Sequence, residues 1–555
     1  MKKSLFLVPV LALALAGCSN EEPAGNATTG DTDVNYLSVS MVSAMGSRAG
    51  ATDFEAGTTD ENAVKEIRFY FFDSEGQAAP VKYTTSGSNS YYDWVPQSAG
   101  SDMPNIEKKL SATVVINTQE GDKVPVSIVA IANPTQELKD LGDLSLAELN
   151  DVVANYANVA KDGFVMSNAV YAKGGMKMEA VDIAGHLATS PENALDNPVT
   201  IYIERVVAKV SLNMSASIES KKVGDETIYA LSDNQGSPDG KKVYIRILGW
   251  NVTATADQSR LMKEINPKWA PNLFSNEEEW NKPEYFRSFW AVNPTNSITY
   301  SDFSEEPDAA CQINVGGYTY VQENAAKNME GEDADTHTKV IVAAQLVDEF
   351  GATLEFAEWG GARYAISDLR VLLANVSNIY KIDASGNRTK ITDADIELTS
   401  ATKSGVTQKA GAKDNVDRET SGRYYVYAQL KANSGEKPEG VSEVKYAIGR
   451  EGAEIGADAV NLALIKLGGC KVWKEGKTYY FFDIEHLGED GFGKYGVVRN
   501  HVYKTTIKSL TGLGTPVYDP DEVIYPEKPE NDFTFIAAEI NILSWRIVNQ
   551  EVDMD

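Results

Sequence analysis

Val126-Ser127-Ile128-Val129-Ala130-Ile131-Ala132-Asn133-Pro134 decides the fold class. Its apolar residues fall on both faces of an extended chain, so it predicts a strand buried on both sides at the centre of a sandwich. Upstream, Ile67-Arg68-Phe69-Tyr70-Phe71-Phe72-Asp73 is an aromatic strand running into the turn Ser74-Glu75-Gly76. Val114-Val115-Ile116 is another strand, and Thr200 to Leu212 forms a long strand region that closes a first domain. Val243 to Val252 opens a second alternating series, continued at Lys339–Leu346, Arg423–Leu430, Lys477–Ile484, Val497–Ile507 and Phe533–Val548. Helical periodicity is scarce. Leu144 to Tyr156 is the best helix candidate, with Ser145 as N-cap and Glu148 at the third helical position. Many strands, Gly-rich turns and few helices predict a mainly β protein of antiparallel β-sandwich domains with long loops.

The chain has 555 residues, enough for several domains. Its formal net charge is −29, with 51 Lys plus Arg against 80 Asp plus Glu, which excludes the basic footprint of a nucleic-acid binder. No catalytic constellation emerges. The four histidines, His186, His337, His486 and His501, lie in no metal or triad motif, and Gly512-Leu513-Gly514-Thr515 lacks a dinucleotide setting. His486 and His501 read as polar residues at strand ends. Trp250, Trp290, Trp359 and Trp473 read as core before they read as a sugar platform. Neither Asp383–Asn387 nor Glu330–Asp335 matches a calcium loop. The expectation is a protein without metal or cofactor, and not an enzyme.

The N-terminus carries a sharper signal. Lys2 and Lys3 precede an apolar run, Ser4 to Ala16, too short to span a bilayer, which takes about 20 apolar residues. Leu15-Ala16-Gly17-Cys18 then reads as a bacterial lipobox, with Cys18 the lipidated residue. After Cys18 only Cys311 and Cys470 remain, and whether they pair is open. Ser19 to about Asn35 is small and polar, a tether. In Tyr36-Leu37-Ser38-Val39-Ser40-Met41-Val42, the apolar Leu37, Val39 and Met41 alternate with serines, a half-buried strand. A small-residue stretch follows and holds Arg48, which taken alone is one arginine in an acidic segment.

Several segments then match a known family in order. They include Glu66–Asp73, Phe164–Asn168, Glu204–Val210, Phe286-Arg287-Ser288-Phe289-Trp290-Ala291, Tyr320–Asn324, Gly476–Tyr480, Asp483–Leu487 and Gly496-Val497-Val498-Arg499-Asn500-His501-Val502-Tyr503. The sequence resembles the major fimbrillins of the short fimbriae of Bacteroidales, within the fimbrillin superfamily of type V pili. The resemblance implies two tandem transthyretin-like β-sandwich domains. It implies export as an outer-membrane lipoprotein, then cleavage by an arginine-specific protease, which by position falls between Arg48 and Ala49. On that plan residues 1–18 are signal peptide and 19–48 propeptide with a strand removed on maturation. Residues 49–225 and 226–545 are the N- and C-terminal domains, and 546–555 the donor strand.

A physical rationale runs beside the resemblance. If the Leu37, Val39 and Met41 strand plugs a groove, its removal exposes apolar surface flanked by unpaired backbone groups, a template for strand addition. The tail supplies a candidate, with Ile547, Val548, Val552 and Met554 as its apolar residues and the last three on one face. Repeated head to tail, the contact builds an open filament. The expected partners are other copies of this chain, accessory tip and anchor fimbrial subunits, the protease, and host or bacterial surface receptors. The expected location is an extracellular fimbria supporting adhesion. A tip or anchor subunit, or a monomeric surface glycan-binding lipoprotein, are the alternatives.

Overall fold

The computed structural model describes residues 32–44, 54–55, 57–96, 106–119, 121–157, 163–233, 235–265, 274–281, 291–295, 297–300, 311–325, 337–400, 425–431, 444–486, 495–518 and 545–554. Over these the protein is mainly β, as predicted, with many antiparallel pairings and few helices.

The N-terminal sheet is built from β1 (Thr32–Ala44), β3 (Ile67–Phe72), β4 (Tyr91–Trp94), β5 (Ile106–Gln119), β6 (Ser127–Ala132), β7 (Met166–Asn168) and β8 (Val199–Arg205). Their order is β4-β3-β6-β7-β8-β1-β5. The segment Val126–Asn133 lies where its two-sided apolarity requires: β6 runs between β3 and β7, and every residue from Ile128 to Ala132 is buried. Phe69, Phe71, Val129, Ile131, Val114, Ile116 and Ile201 fill one core with Leu37.

The C-terminal sheet contains β2 (Phe54–Glu55), β9 (Val207–Met214), β10 (Tyr318–Gln322), β11 (His501–Leu510) and β12 (Trp545–Met554), ordered β2-β12-β11-β9-β10. A second sheet, which includes Tyr244–Thr253, Lys339–Val347 and Lys477–Asp483, shares its core, with Val210, Leu212, Trp250, Val342, Tyr480 and Tyr503 inside. Gly249 sits at a register shift in Tyr244–Thr253, where a Cβ would meet the Cys311 carbonyl oxygen at 1.8 Å, so no larger residue fits.

Two features differ from the sequence reading. The run Thr200–Leu212 is not one strand: it breaks at Val206, with β8 in the N-terminal sheet and β9 in the C-terminal one. The sheets therefore change at Val206, and Ser220–Val223 pairs with Glu226–Ala230 in a hairpin across positions 225/226. The helix expected over Leu144–Tyr156 covers only Leu146–Asn150. Its capping box is intact, with Ser145 and Glu148 bonding each other's backbone N–H, but Val153–Ala154 is already extended. A further core lies between Phe356 and Trp473, where two small sheets pack on helices Ile366–Ser377 and Ala457–Ile465. Neither helix has a side-chain N-cap, so neither announces its start. Cys470 belongs to this core and Cys311 to another, and the two form no disulfide.

Candidate functional site

β1 is an internal strand. On one side it pairs antiparallel with β5, from Thr32 opposite Gln119 to Ala44 opposite Ile106. On the other it pairs parallel with β8, from Val39 opposite Val199 to Val42 opposite Tyr202. Leu37 lies opposite Val114 and is fully buried. Val39 stands between Ala112 and Val199, and Met41 between Leu110 and Ile201, all four of them buried. Burying a leucine side chain contributes about 1.5–3 kcal/mol, and each ladder bond roughly 0.5–1.5 kcal/mol net. The strand is thus held by both of its backbone edges and by its core-facing side chain.

The C-terminal tail forms a second such element. β12 pairs parallel with β11, from Arg546 opposite His501 to Met554 opposite Leu510. Ile547, Val548, Val552 and Met554 stand opposite Val502, Tyr503, Ile507 and Leu510, each buried. On its other side β12 meets β2, with Phe54 opposite Arg546 and Glu55 opposite Trp545. The two segments singled out in the sequence are therefore not brought together within one chain: β1 sits in the N-terminal sheet, and β12 is docked in the C-terminal sheet of the same molecule. Cys18, Arg48 and Ala49 lie outside the described residues.

Between the two sheets runs a buried polar seam that the sequence reading missed. Arg499, with no exposed surface, donates from Nε to Glu323 Oε2 at 2.5 Å and from its Nη atoms to the Leu261 and Arg260 carbonyls at 2.9 and 2.7 Å. Arg205 donates to the Glu61 carbonyl at 3.1 Å, to Asn500 Oδ1 at 3.0 Å, and to Asn62 Oδ1. Glu61 Oε1 accepts from Lys209 Nζ at 2.7 Å and Tyr320 OH at 2.6 Å. Burial pushes the Glu61 carboxyl up, but these two bonds, a Thr58 backbone N–H and the Lys209 charge outweigh it and hold it below the usual range. Lys263 Nζ lies 2.9 Å from Glu204 Oε1; here burial wins and the Glu204 carboxyl is raised. One signal was available: Glu204-Arg205, Lys209 and Arg499 are charges inside apolar strand runs, where an unpaired charge is not tolerated.

The remaining candidates among the described residues take structural places, while Trp290 and Glu330–Asp335 lie outside the described residues. His486 Nδ1 lies 3.0 Å from Tyr503 OH, and its ring meets His501 edge-on at 5.0 Å inside the C-terminal core. Trp250 is buried and donates to the Asn314 carbonyl. Asp383 accepts the Ser385 and Asn387 N–H groups of its own turn. Among the described residues no group of three His, Cys, Asp or Glu could hold a metal ion.

Comparison with known proteins matches two stretches of the chain to fimbrial-subunit families. Residues 35–205 match the family described as major fimbrial subunit protein (FimA), and residues 471–551 match the family described as major fimbrial subunit protein type IV, fimbrillin, C-terminal. The first match begins inside β1 and ends with β8; the second ends inside β12. No curated protein matches the chain. Among solved structures, a fimbrilin from Porphyromonas gingivalis W83 is 13% identical, with 94% of this chain and 98% of that one covered and a TM-score of 0.36. A fimbrial assembly protein from Parabacteroides distasonis is 12% identical, covering 57% and 83% with a TM-score of 0.30. The tip fimbrial protein Mfa3 from Porphyromonas gingivalis is 11% identical, covering 58% and 80% with a TM-score of 0.27. One fimbrial-subunit match covers the N-terminal sheet from β1 to β8 and another the strands that close the C-terminal one, so over those residues the chain is similar to major fimbrial subunits, which are structural proteins and not enzymes.

Proposed function

We propose that this chain is the shaft subunit of its fimbria, activated by proteolysis and polymerised by strand exchange. The precursor is exported, lipidated at Cys18 and cut before it, so that Cys18 becomes its N-terminus. An arginine-specific protease cuts after Arg48, so 19–48 become a detachable propeptide and the mature subunit begins at Ala49. β1 leaves, and residues 546–555 of a neighbouring copy fill the slot between β5 and β8. Tip and anchor subunits join the same polymer, whose role is adhesion to host or bacterial surface receptors.

The observation that carries this reading is the seating of β1, enclosed between β5 and β8 with Leu37 in the core, yet joined to the next described strand only through residues 45–53, which include Arg48. Its removal leaves unpaired backbone on two facing strands and an empty Leu37 socket, a template that demands another strand. A replacement must run parallel to β8 and antiparallel to β5. β12 already pairs in that sense, parallel to β11 and antiparallel to β2. Load passed along such a fibre would cross each subunit through β8 and β9, which are covalently continuous at Val206 and braced by Arg205.

The test is mass spectrometry of the mature N-terminus, with electron microscopy before and after limited arginine-specific proteolysis. The expected result is a start at Ala49 and filaments after cleavage alone. A mature protein that begins at lipidated Cys18 and stays monomeric identifies an anchor or a glycan-binding lipoprotein instead.

A further inference from the structure

The strand just past the proposed cut touches the proposed donor. β2, Phe54–Glu55, pairs with Arg546 and Trp545, the first residues of β12. Among the described residues it is the sole strand on that side of β12; from Ile547 to Met554 the side carries no ladder.

β2 is tied down from its C-terminal side by residues just beyond it. Thr58 N donates to Glu61 Oε2 at 2.7 Å and Glu61 N to Thr58 Oγ1 at 3.2 Å, closing a short loop. That loop is bonded into the seam by Lys209, Tyr320 and Arg205, from β9, β10 and β8. In the uncut chain β2 is tied from its N-terminal side as well. Ala44, the last residue of β1, is ten positions before Phe54, a span of at most about 36 Å, and β1 is locked in the N-terminal sheet.

We infer that β2 is a clip that keeps the donor strand docked in its own subunit, and that its grip depends on the uncut connection to β1. This rests on the strand-exchange reading. Two residues of ladder do not hold a strand by themselves, since even an isolated hairpin is marginal in water. What keeps β2 against β12 is tethering at both ends, which raises its local concentration there. Cleavage after Arg48 removes one tether and leaves residues 49–53 as a free end. β12 then becomes a sheet edge open along its outer side, free to peel from β11. One cut thereby empties the acceptor slot and loosens the donor, so a subunit is not ready to donate before it is ready to accept.

Two full-length variants test this. In the first, about fifteen Gly and Ser residues are inserted between Gly50 and Ala51 with Arg48 changed to Ala, so β1 stays attached on a slack tether. Hydrogen exchange of the Ile547–Met554 amides is expected to quicken about tenfold over the Arg48→Ala parent, while β1 amides remain protected. Equal exchange in the two chains overturns the clip. The second variant pairs Phe54→Cys with Arg546→Cys, whose Cα atoms oppose each other across an antiparallel ladder at a spacing of about 4.5–5.5 Å, within disulfide reach. Once oxidised and cleaved it is expected to stay monomeric, and to polymerise when reduced. Polymerisation at the normal rate with the disulfide closed overturns the clip yet leaves strand exchange standing. Normal filaments from a chain lacking residues 546–555 overturn the exchange reading itself.

Discussion

β1 and β12 are alike in sense and unlike in enclosure. Each has a parallel neighbour on one side and an antiparallel one on the other. β1 is paired along its length by β5 and, over Val39–Val42, by β8 on the other side. Among the described residues β12 is paired along its length by β11 alone, and β2 covers only its first two residues. An internal strand leaves a sheet only if many bonds open together, whereas an edge strand peels from one end. The difference assigns the roles: β1 needs a severed backbone before it can go, and β12 needs the release of β2 and a partner slot that offers a second edge.

The largest effect should follow from removing the edge strand. Deletion of Arg546–Asp555 is expected to give an exported, folded monomer with no filaments by electron microscopy, since the N-terminal sheet does not use β12. Normal fibres would remove β12 from the comparison. Next comes the connection to the internal strand. Arg48→Ala is expected to leave full-length lipidated protein in the membrane fraction and to cut polymer yield at least tenfold, read by immunoblot; polymer of wild-type yield would mean that β1 need not be freed. Breaking the seam that holds the two sheets together ranks third. Arg499→Met leaves Glu323 buried without its cation and should lower unfolding free energy by about 3–5 kcal/mol in precursor and mature protein alike, measured by denaturant titration.

Leu37→Ala sharpens the contrast most. It should destabilise the precursor by about 2–5 kcal/mol, yet leave the melting of assembled fibres unchanged, because the substituted strand is gone from them. A fibre that also melts earlier would show that β1 stays.

The smallest expected effect is a pH dependence away from both strands. Burial pushes the Asp483 carboxyl up, but His337 and Lys339 more than offset it and hold it down at about 2. A depressed carboxylate stabilises the fold above its unfolded value of about 4, and that contribution is lost as pH falls toward 2. Asp483→Asn should flatten the acid limb of the stability curve across that window and change little near pH 7.

The sequence made some of this legible and not the rest, for physical reasons. β6 could be read because apolar side chains on both faces admit only a central strand, and the Ser145 and Glu148 box because its partners are three residues apart. Leu37, Val39 and Met41 marked a strand, but not that it runs from Thr32 to Ala44 or which strands flank it, since pairing is set by residues far away in the chain. The break at Val206 is invisible where apolar residues continue on both sides of it. The seam escaped because Arg499 and Glu323 are 176 positions apart and each alone is an ordinary charge. The docking of β12 on β11 escaped for the same reason: a tail with one apolar face does not say whose sheet it joins.

The most direct measurement is a cryo-electron microscopy map of assembled filaments at side-chain resolution. The account predicts that the slot between β5 and β8 of each subunit holds residues from the 546–555 tail of its neighbour, running parallel to β8. A slot still filled by Thr32–Ala44 of the same chain, with β12 at rest on its own β11, would contradict it.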